Sequence, residues 1–184
     1  MNRTMLTAAV AAASLTFLSA CNEPAGDAEE IAAEDTSNET LAALIGGADD
    51  LSMTAEALSD AGLQSIFDGN TPYTLFAPTD AAFEGLGLPL EGEEARAARV
   101  AILREHIVPG HLTMDDIRSA VDQAGGSAEM QTLASGTLTF RGEEDITVTA
   151  SDGTEATLAG DPMTGINGSV FPVDAVLKGV SGES

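Results

Sequence analysis

The sequence predicts a single α+β domain in which short helices and one strand precede a set of antiparallel strands. Three observations predict it. The chain has 184 residues, enough for one domain with a real core and too few for two of ordinary size. Apolar residues recur at helical intervals through most of the region from Glu39 to Ser119. From Glu129 the period changes to short runs rich in Thr, Val, Leu and Phe, separated by glycine-containing turns. No internal repeat appears. Helices, one strand, more helices and then an antiparallel set is the order of an α+β fold and not of alternating βαβ units.

The first 38 residues stand apart. MNRTML is a short, weakly basic start, and TAAVAAASLTFLSA is an apolar stretch too short to span a bilayer comfortably, so residues 1–20 read as a secretion signal. Leu18-Ser19-Ala20-Cys21 resembles the bacterial lipobox, where small residues precede a cysteine that is diacylated before cleavage. Cys21 is the only cysteine, so no intramolecular disulfide competes for its thiol. The resemblance implies a mature chain lipid-anchored at Cys21 in a bacterial cell envelope. Asn22, where aspartate would resemble an inner-membrane retention signal, favours the outer membrane, on its periplasmic side or at the surface. Residues 21–38 hold one large apolar residue, Ile31, among acidic and small ones and read as a disordered tether that like charges extend.

The folded part is expected over residues 39–180, with 181–184 a tail. TLAALI gives a short helical pattern, and ADDLSMTAEALSDAGLQSIFDG a pair of short helices with Gly62 ending the first. Tyr73 to Ala77 is a strand by its aromatic content, bounded by Pro72 and Pro78. EEARAARVAILREHIV is the longest amphipathic helix, with Ala97, Val100, Leu103 and Ile107 on one face, Arg96, Arg99 and Arg104 largely away from it, and Pro109-Gly110 as its stop. Thr113 caps a further helix running toward Ser119, with Asp116 in the place a capping box gives to glutamate. MQTL, TLTFR, ITVTA, TEATLA and SVFPVDAVL are strands. Asp152-Gly153 predicts a two-residue hairpin turn, and Pro172 puts its strand at an edge or a bulge.

Between Tyr73 and Leu86 the strand stops at Pro78 and a small-residue helix begins at once. Thr79 or Asp80 can accept from the first free amides of that helix, and Phe83 falls where a hydrophobic staple would fold back over the strand end. This corner has no nucleophile with a base beside it, so it reads as scaffold. TLFAPTDAAF also closely resembles the first signature of the fasciclin-like domain. LREHIVPGHLT resembles that family's central helix and Pro-Gly turn, and NGSVFPVDAVL its closing signature. The three stand in the family's order and spacing over about residues 39–180.

The resemblance implies a wedge of β-sheet packed against several helices. It makes Phe76, Ala77, Pro78, Thr79, Asp80, Phe83, His106, Pro109, Gly110, Asn167, Gly168 and Asp174 signature positions, read as structural. His106 and Phe171 are also carried as candidate binding residues. Two departures stand out: Glu105-His106 where the family usually has Tyr-His, and Phe171 where it usually has histidine. The integrin-contact motif proposed for animal members uses that tyrosine and does not carry over.

Thirty acidic residues face six basic ones once Arg3 of the signal is set aside, a formal charge of −24. Such a field repels nucleic acid and anionic headgroups alike. His106 and His111 straddle Pro109-Gly110 and do not share a helical face as zinc ligands at i, i+4 do, so the sequence predicts no metal centre. Adjacent Glu93 and Glu94 make a poor glycosidase pair, and there is no phosphate loop or Gly-x-Ser-x-Gly elbow. No cofactor and no enzymatic activity are expected. The leading function is adhesion or the holding of an envelope protein or glycan. The alternatives are a carrier of a small apolar ligand such as a pigment or lipid, with Met53, Met114, Met130 and Met163 as adaptable lining, and a polysaccharide hydrolase resting on fold analogy alone.

Overall fold

The computed structural model describes residues 37–85, 93–142 and 145–178. The lipobox, most of the tether and the C-terminal tail lie outside them. Helix α1 (Leu41–Gly47) opens at Thr40, whose hydroxyl accepts from Ala43 N–H. Helix α2 (Ser52–Asp60) ends as glycine allows, with Gly62 at φ +72°. The expected second helix of that pair is only a 3-10 turn over Gln64–Phe67. Its one fully buried side chain is Phe67, and a single tight turn suffices to deliver it.

Strand β1 (Tyr73–Pro78) leads into α3 (Asp80–Gly85), and α4 (Glu93–Glu105) follows. The sequence extends α4 to Pro109, but the helix stops at Glu105. His106 N–H bonds back to Leu103 carbonyl, tightening the last turn, and Ile107–Pro109 forms strand β2 against β1, with Leu75 opposite Ile107. β-Branched Ile107 and Val108 gain a ladder and burial there that another helical turn would not offer. The buried apolar residues of α4 are Ile102 and Leu103, while Ala97 is exposed. Helix α5 (Met114–Gln123) runs one turn past Ser119.

Four strands then form a meander: β3 (Ser127–Gln131), β4 (Thr137–Arg141), β5 (Thr147–Thr149) and β6 (Glu155–Thr157), each antiparallel to the next. The β5–β6 loop is not a two-residue turn. Ala150 N–H bonds Thr154 carbonyl, Gly153 N–H bonds Ala150 carbonyl, and only Gly153 has positive φ, at +87°. This is the three-residue loop built on a type I turn with a left-handed glycine. Asp152 is outside the left-handed region, and its carboxylate accepts from Thr154 N–H and hydroxyl.

Strands β7 (Met163–Gly165) and β8 (Gly168–Val173) return to β1. The first sheet has the order β2-β1-β8-β7, and β1 and β8 run parallel from Tyr73 opposite Gly168 to Pro78 opposite Val173. The expected antiparallel set is therefore one antiparallel sheet beside one mixed sheet. The whole meander intervenes between β1 and β8, so no hairpin forces them to oppose. Pro172 lies past the end of β7, where the ladder on that side has given way to an isolated bridge of Val173 with Leu158.

Alternation along β1 divides the core. Phe76 points toward the second sheet and α5, in a cluster with Val108, Ile117, Phe140, Val148 and Phe171. Leu75 and Ala77 point the other way, among Leu41, Leu51, Leu58, Phe67 and Leu103 of the helical layer. The result is a single α+β domain of two sheets and several short helices.

Candidate functional site

The strand-to-helix corner ties two helices. Thr79 caps α3, its hydroxyl accepting from Ala82 N–H at 3.3 Å. Asp80 does not cap its own helix. Its carboxylate accepts from Met53 N–H at 2.8 Å and Ser52 hydroxyl at 2.5 Å, satisfying one free amide of α2, while Thr54 hydroxyl donates to Pro78 carbonyl at 2.7 Å. Phe76 and Ala77 are fully buried. Phe83 is half-buried against Ala82, Ile102 and Val176.

Glu105 and His106, consecutive where α4 gives way to β2, hold two distant segments. His106 is wholly buried; Nδ1–H donates to Ile102 carbonyl at 2.9 Å and Nε2 accepts from Leu177 N–H at 2.9 Å. One neutral tautomer satisfies both bonds. Burial outweighs the opposing effect of the hydrogen bond to Ile102 carbonyl and pulls the imidazole pKa down to about 4. As a binding residue His106 has nothing to offer, because none of its surface reaches solvent. Glu105 is 3% exposed and accepts from Thr132 hydroxyl at 2.9 Å. Its carboxylate fills the space that a side chain at Gly136 would occupy. In the sequence Glu105 stands out only as a departure from the family pattern, and nothing local ties it to Gly136.

The remaining signature residues serve turns. Gly110, at φ +108°, donates its N–H to Pro72 carbonyl and accepts from Thr74 hydroxyl, while Pro109 ends β2. Asn167 is buried, accepts from Leu41 N–H at 2.8 Å and donates to Phe67 and Gly69 carbonyls at 2.6 and 2.8 Å. Any side chain at Gly168 would run into Tyr73 carbonyl. Asp174 accepts from Thr157 N–H and hydroxyl, fastening the chain after β8 to β6. Phe171, the other candidate binding residue, is fully buried and stacked on Phe76 with centroids 5.4 Å apart, so no edge is open to a ligand.

The chemistry available to these residues is limited. Among the described residues no three His, Cys, Asp or Glu side chains lie close enough to hold a metal. His111 is exposed, and Asp116 is engaged by Thr113, whose backbone N–H, then hydroxyl, hold its carboxyl below the usual range. A cavity between α1, α2 and the 3-10 turn, lined by Ala42, Ile45, Ala55, Leu58 and Phe67, measures only ≈ 10 Å³. An open depression of ≈ 390 Å³ is lined by Val121, Asp122 and three glycines, Gly125, Gly126 and Gly142. No described helix is long and apolar enough to cross a membrane.

Two sheets, a helical layer and polar signature residues that bond backbone within the fold define a scaffold. Residues 49–179 match the model of the Fasciclin domain, and the chain belongs to the fasciclin domain family. It is 30% identical over 146 residues to Protein sll1483 of the cyanobacterium Synechocystis sp., covering 75% of this chain and 72% of that one. Among solved structures it resembles a FAS1 domain pair from the insect cell adhesion molecule Fasciclin I, at TM-score 0.60 and 27% identity, over 73% of this chain. This chain spans about half of that one, 47% of its length.

Proposed function

We propose that the protein is a lipid-anchored, extracytoplasmic fasciclin module that holds a protein or glycan partner in the bacterial cell envelope and contributes to adhesion. The observation that carries this reading is the inward use of the signature residues in a fold shared with a cell adhesion molecule. The polar signature residues are spent on internal bonds, and partner recognition falls to exposed loops. Cys21 supplies the anchor and the acidic tether the reach.

Cells lacking the protein, and cells carrying Cys21→Ser, test it. Reduced attachment in the first and shedding of the protein from washed membranes in the second are expected. Normal attachment on every surface tried would remove adhesion, and retention of Cys21→Ser on membranes would remove the anchor. The carrier reading finds little support, because the space between α1, α2 and the 3-10 turn has room for about one water-sized probe.

A further inference from the structure

The β7–β8 turn is held from several sides. Ile166 N–H bonds Glu39 carbonyl at 3.0 Å and Tyr73 N–H bonds Asn167 carbonyl at 3.1 Å. The Asn167 side chain adds its three bonds to Leu41, Phe67 and Gly69. Gly165 and Gly168 flank the tip, and a Cβ on Gly165 would stand 2.6 Å from Glu39 carbonyl. Yet this turn presents Ile166 to solvent. Only two large hydrophobic side chains among the described residues are exposed, Met53 at 40% and Ile166 at 60%.

A lone exposed apolar residue is ordinary. A β-branched one on a turn fixed this heavily differs, because neither the backbone nor χ1 has much freedom left to lose on binding. Half-buried Tyr73, whose ring sits edge-on to Phe67 at 6.1 Å, adjoins the turn through its bond to Asn167. Charge limits what can approach. Glu39 and Asp68 are exposed on the two segments bonded to the turn, and Asp161 on the approach to β7. No lysine or arginine occurs in residues 37–73 or 145–177, from which this end of the domain is built.

We propose that Ile166 is the anchor of a protein-binding surface whose partner offers a small apolar pocket rimmed by lysine or arginine. The proposal rests on the interaction reading above and names its surface. A second copy of this chain would bring the same carboxylates to the contact, and an anionic lipid surface would be repelled, so neither fits as well.

The test uses the full chain in its own membranes, with a photo-crosslinking phenylalanine analogue at 166 and, separately, at exposed Asp122 on α5. The protein joined at 166 is identified, purified and titrated against the wild-type chain, Ile166→Ser and Ile166→Glu. The expected results are a different protein joined at 166, an affinity weakened about tenfold or more by either substitution, and further weakening by added salt. Unchanged melting temperatures separate loss of binding from loss of fold. No adduct at 166, an adduct only with a second copy, or an affinity indifferent to both substitutions overturns the proposal. Adducts at 122 without any at 166 sink this surface alone and leave the interaction reading standing. Silence at both positions counts against both.

Discussion

His106 Nε2 accepts the N–H of Leu177, 71 positions away, at 2.9 Å inside the domain. The same ring donates to Ile102 carbonyl, so the bond holds only while the imidazole is neutral. Folded His106 stays neutral down to about pH 4, whereas the unfolded side chain takes up a proton near 6.5. The unfolded state therefore binds more protons between those limits, and stability falls as pH is lowered through that window. It is complete above 6.5 and stops changing on this account below 4. The gap is worth roughly 3 kcal/mol. Urea unfolding from pH 7 to 4.5 should show this slope, and His106→Gln should flatten it while lowering stability at pH 7. An identical slope in His106→Gln would remove the histidine from the effect.

Gly136→Ala should destabilise the domain by about 1–3 kcal/mol, the cost of forcing a group into filled space. Its new Cβ meets the Glu105 carboxylate, and no positive φ complicates the comparison. In a Glu105→Ala background the same change should cost much less. A double-mutant cycle by chemical denaturation measures the coupling, and additivity would mean that the carboxylate is not seated there.

Asp80→Ala should cost about 0.5–2 kcal/mol by uncapping α2, with Asp80→Asn intermediate, since an amide oxygen still accepts from Met53 N–H. Hydrogen exchange locates the effect: amides of the first turn of α2 should lose more protection than those of α3. The opposite pattern would return Asp80 to its own helix.

Asn167→Ala removes an acceptor for Leu41 N–H and a donor to two carbonyls at one buried point. A buried group left unpaired costs about 1–3 kcal/mol. The loss should therefore exceed that of Asp80→Ala, and thermal melting ranks the two. A smaller loss would show that water replaces the amide.

Much of the secondary structure was legible because its causes are local. In TLFAPTDAAF an aromatic, apolar run meets a proline and then a capping threonine, and strand, corner and helix follow within ten residues. Thr113 and Asp116 form their capping box for the same reason, lying one turn apart. The misreadings arose where a distant segment outbid a local preference. Ile107 continues the α4 pattern, yet β1 offers it a ladder; of the two candidate caps Thr79 serves α3, while Asp80 accepts from an amide of α2. The parallel pairing of β1 with β8 leaves no periodicity to read, because register between strands 95 residues apart belongs to neither strand alone.

By itself the sequence determined the class of fold, its family signatures, the lone cysteine and the acidic balance, since these reside in composition and short-range order. Tertiary structure decided which residues are used up and which are free. His106 and Phe171 pass to the interior, Glu105 finds space against Gly136, and Ile166 is left at the surface. Burial is set by everything that packs around a side chain, and no short stretch of sequence contains that information.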